Sequence, residues 1–126
     1  MGEPRTVLVV DDEPAMREML VSLLEEEGIR ARPAGNAAEA LECTRESDFD
    51  AVISDIRMPG TDGITLLGEV RQARPDTPVI LMTAFGSVET AVEAIRHGAS
   101  DYLTKPVKTE ELVRVVERAI REAALR

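Results

Sequence analysis

Three short segments constrain the fold more than anything else in the chain. "TVLVV" (Thr6–Val10), "DAVIS" (Asp50–Ser54) and "PVILM" (Pro78–Met82) are apolar on nearly every successive position and rich in β-branched residues. A strand with one wet face alternates apolar and polar residues. A strand that does not alternate is covered on both faces, as in a parallel sheet.

Amphipathic stretches separate these segments. Met16, Met19, Leu20, Leu23 and Leu24 recur at helical spacing, with Pro14 suited to a first turn and Gly28 to the end. "IRARP" (Ile29–Pro33) reads as a weaker, more polar strand at a sheet edge. Asn36, with Glu39 three residues on, has the form of a helix N-cap before Ala40 and Leu41. "PGTDG" (Pro59–Gly63) is turn chemistry ahead of a helix through Ile64, Leu67 and Val70. Ser87 is placed to cap a helix through Val88, Ala91, Val92 and Ile95, with Gly98 beyond its end. "DYL" (Asp101–Leu103) is a last short strand. Thr109 is the expected cap of a final helix through Leu112, Val115, Val116, Ala119 and Ile120, with Glu110 and Glu111 favoured in its first turn by the helix dipole. The pattern is α/β: five strands alternating with five helices, whose right-handed crossovers put helices on both faces.

The 126 residues suit one domain, with no internal repeat or boundary. Residues 1–126 are expected to form one unit, its core spanning about residues 6–120. The last helical pattern continues through residues 121–126, where a linker to another domain would begin. With a net charge of −9, the chain is a poor ligand for phosphate backbones or an anionic membrane surface. Cys43 is the only cysteine, so no intrachain disulfide forms, and no apolar run approaches the ~20 residues of a spanning helix. The expected location is the cytoplasm.

Ligands of an open parallel sheet bind outside the carboxyl ends of its strands. Asp11 and Asp12 follow the first buried strand, Asp55 the next, Thr83 the next, and Thr104, Lys105 and Pro106 follow "DYL". Adjacent carboxylates repel unless water or a cation offsets them. Three Asp at one rim make a hard-oxygen site suited to Mg²⁺, with Mn²⁺ as a substitute. Thr83 offers a hydroxyl donor and Lys105 a point charge, both suited to phosphoryl oxygens. Asp55, alone at the end of a central strand, is the candidate nucleophile for a mixed anhydride. Asp and Thr often end strands as turn caps, and for any one residue that reading is favoured. It weakens when all four strand ends are taken together.

"VLVVDDEP", "DAVISDIRMPGTDG", "PVILMTA" and "GASDYLTKP", in this order and spacing, resemble the receiver domain of two-component response regulators, from about Thr6 to about Ile120. The resemblance implies a flavodoxin-like (CheY-like) doubly wound sheet of order 2-1-3-4-5. It implies that Asp55 accepts a phosphoryl group from the phosphohistidine of a cognate sensor histidine kinase, and loses it slowly to water. Asp12, Asp55 and the backbone carbonyl of Arg57 would bind Mg²⁺ directly, and Asp11 through water. Thr83 and Lys105 would hold the phosphoryl oxygens, and Lys105–Pro106 would be a cis peptide. Tyr102 would be an aromatic switch moving with Thr83, and Arg57 and Phe85 would border the site. The helix from Ser87 to Gly98, with the neighbouring strand and last helix, would form the surface that changes on activation. "TAFGSVETAVEAIRHGASDYLTKPV" (Thr83–Val107) is similar to receivers of the NtrC/DctD type, which precede an ATPase domain acting on sigma-54 RNA polymerase and a DNA-binding domain. A phosphorylation-dependent homodimer is a further expectation.

Plainer readings stand beside these. The apolar face of the Ser87–Gly98 helix is accounted for by simple packing, His97 by the dipole at a helix end, and Cys43, Met58, Met82 and the helical Met residues by the core. Two other functions compete. A phosphohydrolase would need a second acid near Asp55, where Ile56 and Arg57 stand instead, and a substrate cap. A binding module without chemistry would not need Asp11, Asp12, Asp55, Thr83 and Lys105 together.

Overall fold

The computed structural model describes residues 4–58, 60–84 and 88–125. Strands and helices alternate: β1 (Thr6–Val10), α1 (Pro14–Glu26), β2 (Arg30–Ala34), α2 (Ala37–Glu46), β3 (Ala51–Asp55), α3 (Gly63–Ala73), β4 (Val79–Thr83), α4 (Val88–Arg96), β5 (Asp101–Thr104) and α5 (Thr109–Ala124). The five strands form one parallel sheet of order β2-β1-β3-β4-β5. This is the expected doubly wound topology.

The sheet separates two cores, and the period of two along each strand divides the apolar runs between them. Val7 and Val9 join Ile53, Ile80 and Met82 under Leu20 and Leu24 of α1 and Leu112, Val115, Val116 and Ala119 of α5. Leu8 and Val10 join Val52 and Leu81 under α2, α3 and Ala94 of α4. The central strands need apolar side chains at every position because both cores draw on them. β2 has one neighbouring strand and is mostly exposed, so it tolerates Arg30, Arg32 and Pro33.

Asn36 caps α2 as expected, its side chain accepting from the Glu39 amide at 2.8 Å. Gly28 and Gly98 follow α1 and α4 at φ +80° and +101°, the left-handed region that ends helices. His97 Nδ1 lies 2.9 Å from the Glu93 carbonyl at the end of α4, in keeping with a helix-end role. Cys43, Met58 and Met82 are buried.

Three expectations need correction. Thr109 is the first residue of α5, not its cap; Lys108 holds the cap position with no side-chain hydrogen bond. Met19 shares the helical spacing of the core residues of α1 but is 42% exposed, because Leu20 and Leu24 face the sheet. Packing does not account for the apolar stripe of α4: Val88, Val92 and Ile95 are 80%, 45% and 52% exposed, and only Ala94 is buried. Ser87, the expected cap of α4, and Phe85 lie outside the described residues.

Candidate functional site

The carboxyl ends of β1, β3, β4 and β5 bring Asp11, Asp55, Thr83 and Lys105 to one rim. Asp55 and Thr83 are the last residues of β3 and β4, and Asp11 follows β1 directly. All three are buried, Asp11 completely. Asp11, Asp12 and Asp55 each present a carboxylate oxygen within 4.8 Å of the others. Asp12 is the outermost of the three, and among the described residues its carboxylate takes no hydrogen bond or ion pair.

Buried like charges this close require a counter-charge. Lys105 supplies one. Its Nζ donates to Asp55 Oδ2 at 2.8 Å and to Asp11 Oδ2 at 3.1 Å. Burial alone would lower the lysine pKa, but the hydrogen bonds and charges of Asp55 and Asp11 outweigh it and hold it above its usual 10.5. A cation whose pKa is raised by folding stabilises the fold fully below its unfolded pKa. That contribution is lost only as pH rises through the higher folded value, so Lys105 stays charged across the neutral range. The backbone places this lysine: its amide donates to the Thr83 carbonyl at 2.8 Å, and the Lys105–Pro106 peptide is cis as expected.

The remaining oxygens of the inner carboxylates are held by main-chain amides. Asp55 Oδ1 accepts from the Arg57 amide at 3.1 Å, and Asp11 Oδ1 from the Glu13 amide at 3.0 Å. The loop carrying Arg57 is folded back over β3 by a bond from the Gly63 amide to the Ile56 carbonyl at 2.8 Å. A Cβ on Gly63 would lie 2.4 Å from the Asp55 carbonyl oxygen, so only glycine permits that approach. The sequence marked Gly63 as a turn residue and did not reveal this close approach. Arg17 was likewise missed: its Nη1 donates to the Asp11 carbonyl at 2.7 Å. Nothing in the helical spacing of α1 distinguishes it from a solvated arginine.

Tyr102 sits on β5 opposite Leu81, packed against the core beneath α2, α3 and α4. Its hydroxyl is buried and, among the described residues, has no hydrogen-bond partner. Such a group costs about 1–3 kcal/mol, so this side-chain placement is not strongly held by its polar end.

Three carboxylates with spare lone pairs, one of them open, fit a hard divalent cation such as Mg²⁺. A part-buried ammonium beside the inner pair fits an anion that brings further oxygens.

Fold and rim together define a phosphoryl-receiving signalling module. The comparisons agree: residues 7–117 match the response regulator receiver domain, and the chain belongs to that family. It is 44% identical to the transcriptional regulatory protein ZraR of Klebsiella oxytoca over 124 residues, 98% of this chain and 28% of that protein. It is 46% identical to the regulatory protein AtoC of Escherichia coli K12 over 114 residues, 90% of this chain and 25% of that protein. The chain thus spans about a quarter of the length of these curated relatives. Among solved structures, a response regulator receiver domain protein from Clostridium thermocellum superposes with a TM-score of 0.91 at 32% identity, covering 96% of this chain and 98% of that one. The beryllofluoride-activated NtrC4 receiver domain dimer superposes with a TM-score of 0.88 at 37% identity, covering 94% and 98%. Among the described residues, no helix is long and apolar enough to cross a membrane.

Proposed function

We propose that Asp55 accepts a phosphoryl group from the phosphohistidine of a sensor histidine kinase. The P–N bond of the donor breaks as a bond forms from phosphorus to an Asp55 carboxylate oxygen. The electron pair leaves on the imidazole nitrogen, which takes up a proton. The observation that carries this reading is the Lys105 ammonium held between Asp55 and Asp11. It offsets the charge of the two carboxylates it bridges and is placed to turn toward the incoming oxygens. Thr83, at the end of the adjacent strand, would offer its hydroxyl to the same oxygens.

Asp12, Asp55 and the Arg57 carbonyl would hold Mg²⁺, or Mn²⁺ in its place, with Asp11 acting through water. When bound, the ion supplies positive charge for the phosphoryl oxygens. Water would later attack the acyl phosphate and release phosphate slowly, with Arg57 bordering its path.

Phosphorylation would act by population shift, new contacts to Thr83 and Lys105 favouring an arrangement that already exists. Tyr102 would follow Thr83, and α4 with its exposed apolar stripe would be the element that responds. The length of the relatives supports residues 1–126 as one receiver unit of a longer regulator, with residues 121–126 leading toward the output. That output would be an ATPase domain acting on sigma-54 RNA polymerase and a DNA-binding domain, as the similarity to NtrC-type receivers supports. The dimeric NtrC4 receiver supports a phosphorylation-dependent second copy as a partner. The cytoplasm, where kinase and polymerase meet, is the proposed location.

Intact-protein mass after incubation with acetyl phosphate and Mg²⁺ tests the acceptor. Wild type should gain one phosphoryl group, and Asp55→Asn or omission of Mg²⁺ should abolish the gain. A phosphorylated Asp55→Asn protein would place the acceptor elsewhere.

A further inference from the structure

Asp12 is the most open of the three carboxylates, yet a closed ring of hydrogen bonds surrounds its backbone. The Glu13 amide donates to Asp11 Oδ1 at 3.0 Å. The Arg17 amide donates to the Glu13 carbonyl at 3.0 Å. The Arg17 guanidinium then reaches back from α1 to the Asp11 carbonyl at 2.7 Å. That carbonyl belongs to the peptide joining Asp11 to Asp12, so its direction fixes where the Asp12 side chain starts. On the other side, the Asp11 amide donates to the Ala34 carbonyl at the end of β2, at 3.2 Å.

The next residue, Gly35, leaves room for the arginine. A Cβ there would lie 3.3 Å from Arg17 Nη1 and 3.8 Å from its Cζ. The guanidinium is therefore seated between the β1–α1 and β2–α2 loops. A charge-assisted bond to a carbonyl is among the stronger hydrogen bonds, and a planar fork in a fitted niche holds its direction better than an ammonium would.

We propose that Arg17 is a positioning residue for the divalent cation: it orients the Asp11–Asp12 peptide and thereby aims the Asp12 carboxylate into the site. The proposal rests on the metal-site reading above. Arg17 touches neither the ion nor the phosphoryl group; it acts through Asp12.

Mn²⁺ titration of the unphosphorylated protein, followed by the electron paramagnetic resonance signal of the free ion, tests this without any turnover. Arg17→Met keeps the apolar stem and removes the donor. It should weaken Mn²⁺ binding by about tenfold, the lower end of what loss of an outer hydrogen bond costs a metal site. Arg17→Lys should recover part of that loss. At saturating Mg²⁺, the phosphorylation rate of Arg17→Met should return to near the wild-type value, because the defect lies in binding.

A folded Arg17→Met protein with lowered thermal stability and unchanged Mn²⁺ affinity would reduce Arg17 to a structural residue and overturn the proposal. Should that variant not fold, Gly35→Val, which pushes branched carbons against the seated guanidinium, is read in its place. Weakened Mn²⁺ binding supports the proposal and wild-type binding overturns it. Failure of the wild type itself to bind Mn²⁺ would remove the metal-site reading, and this proposal with it; wild-type binding with indifferent variants removes this proposal alone.

Discussion

Helices α4 and α5 flank the same end of the sheet and are both amphipathic, but they are held very differently. α5 buries Leu112, Val115, Val116 and Ala119 against β3, β4 and β5, and Arg118 on its outer side pairs with Asp101 of β5. α4 buries only Ala94 and turns Val88, Val92 and Ile95 outward. Its far end is fastened by main-chain bonds, Ala99 to the Ala94 carbonyl at 3.0 Å, and by Arg71 of α3 reaching the Gly98 carbonyl at 2.9 Å. An apolar stripe therefore specifies a helix without specifying what covers it. Elements with few buried apolar contacts open at low cost, and moving parts are drawn from them. In this domain the acidic pocket is over-determined, with both inner carboxylates bound at each oxygen, while the helix that would report on it is lightly held.

The largest effect expected from this contrast lies in α5. Leu112→Ala removes a fully buried side chain and should cost about 2–5 kcal/mol, read as a lowered urea midpoint. The smallest lies on the outer face of α4. Ile95→Ser should change stability by no more than about 0.5 kcal/mol in the unphosphorylated monomer. A loss comparable to that of Leu112→Ala would break the comparison, since it would mean that the α4 stripe is packed in solution.

The parts of this fold that could be read in the sequence are those where one physical demand acts alone. Double burial writes itself into Val7–Val10, Ala51–Ser54 and Val79–Met82, and the bounds of those strands were placed within a residue. The Asn36 cap could be read because its signal is local. The pocket could be read because a parallel sheet gathers strand ends, so Asp11, Asp12, Asp55, Thr83 and Lys105 needed only their positions along the chain. What stayed hidden depends on contacts between distant segments. Periodicity gave Met19 and Leu20 equal claims on the core, and only the roll of α1 on the sheet decides between them. Thr109 and Lys108 differ by one residue of backbone geometry. The stripe Val88–Ile95 looks like core because nothing local marks a missing neighbour. The reach of Arg17 to Asp11, past a glycine in another loop, has no pattern along the chain.

Amide hydrogen exchange, read by peptide with and without Mg²⁺ and acetyl phosphate, tests the central claim most directly: a preformed pocket that receives a phosphoryl group on Asp55 and drives a loosely held α4. Exchange in the unmodified protein should be much faster in α4 than in α5. On phosphorylation, confirmed by mass in the same sample, it should change chiefly in α4 and the adjoining β5, and Asp55→Asn should show no change. An α4 as protected as α5, or a phosphorylated protein whose exchange changes everywhere but α4, would contradict the account.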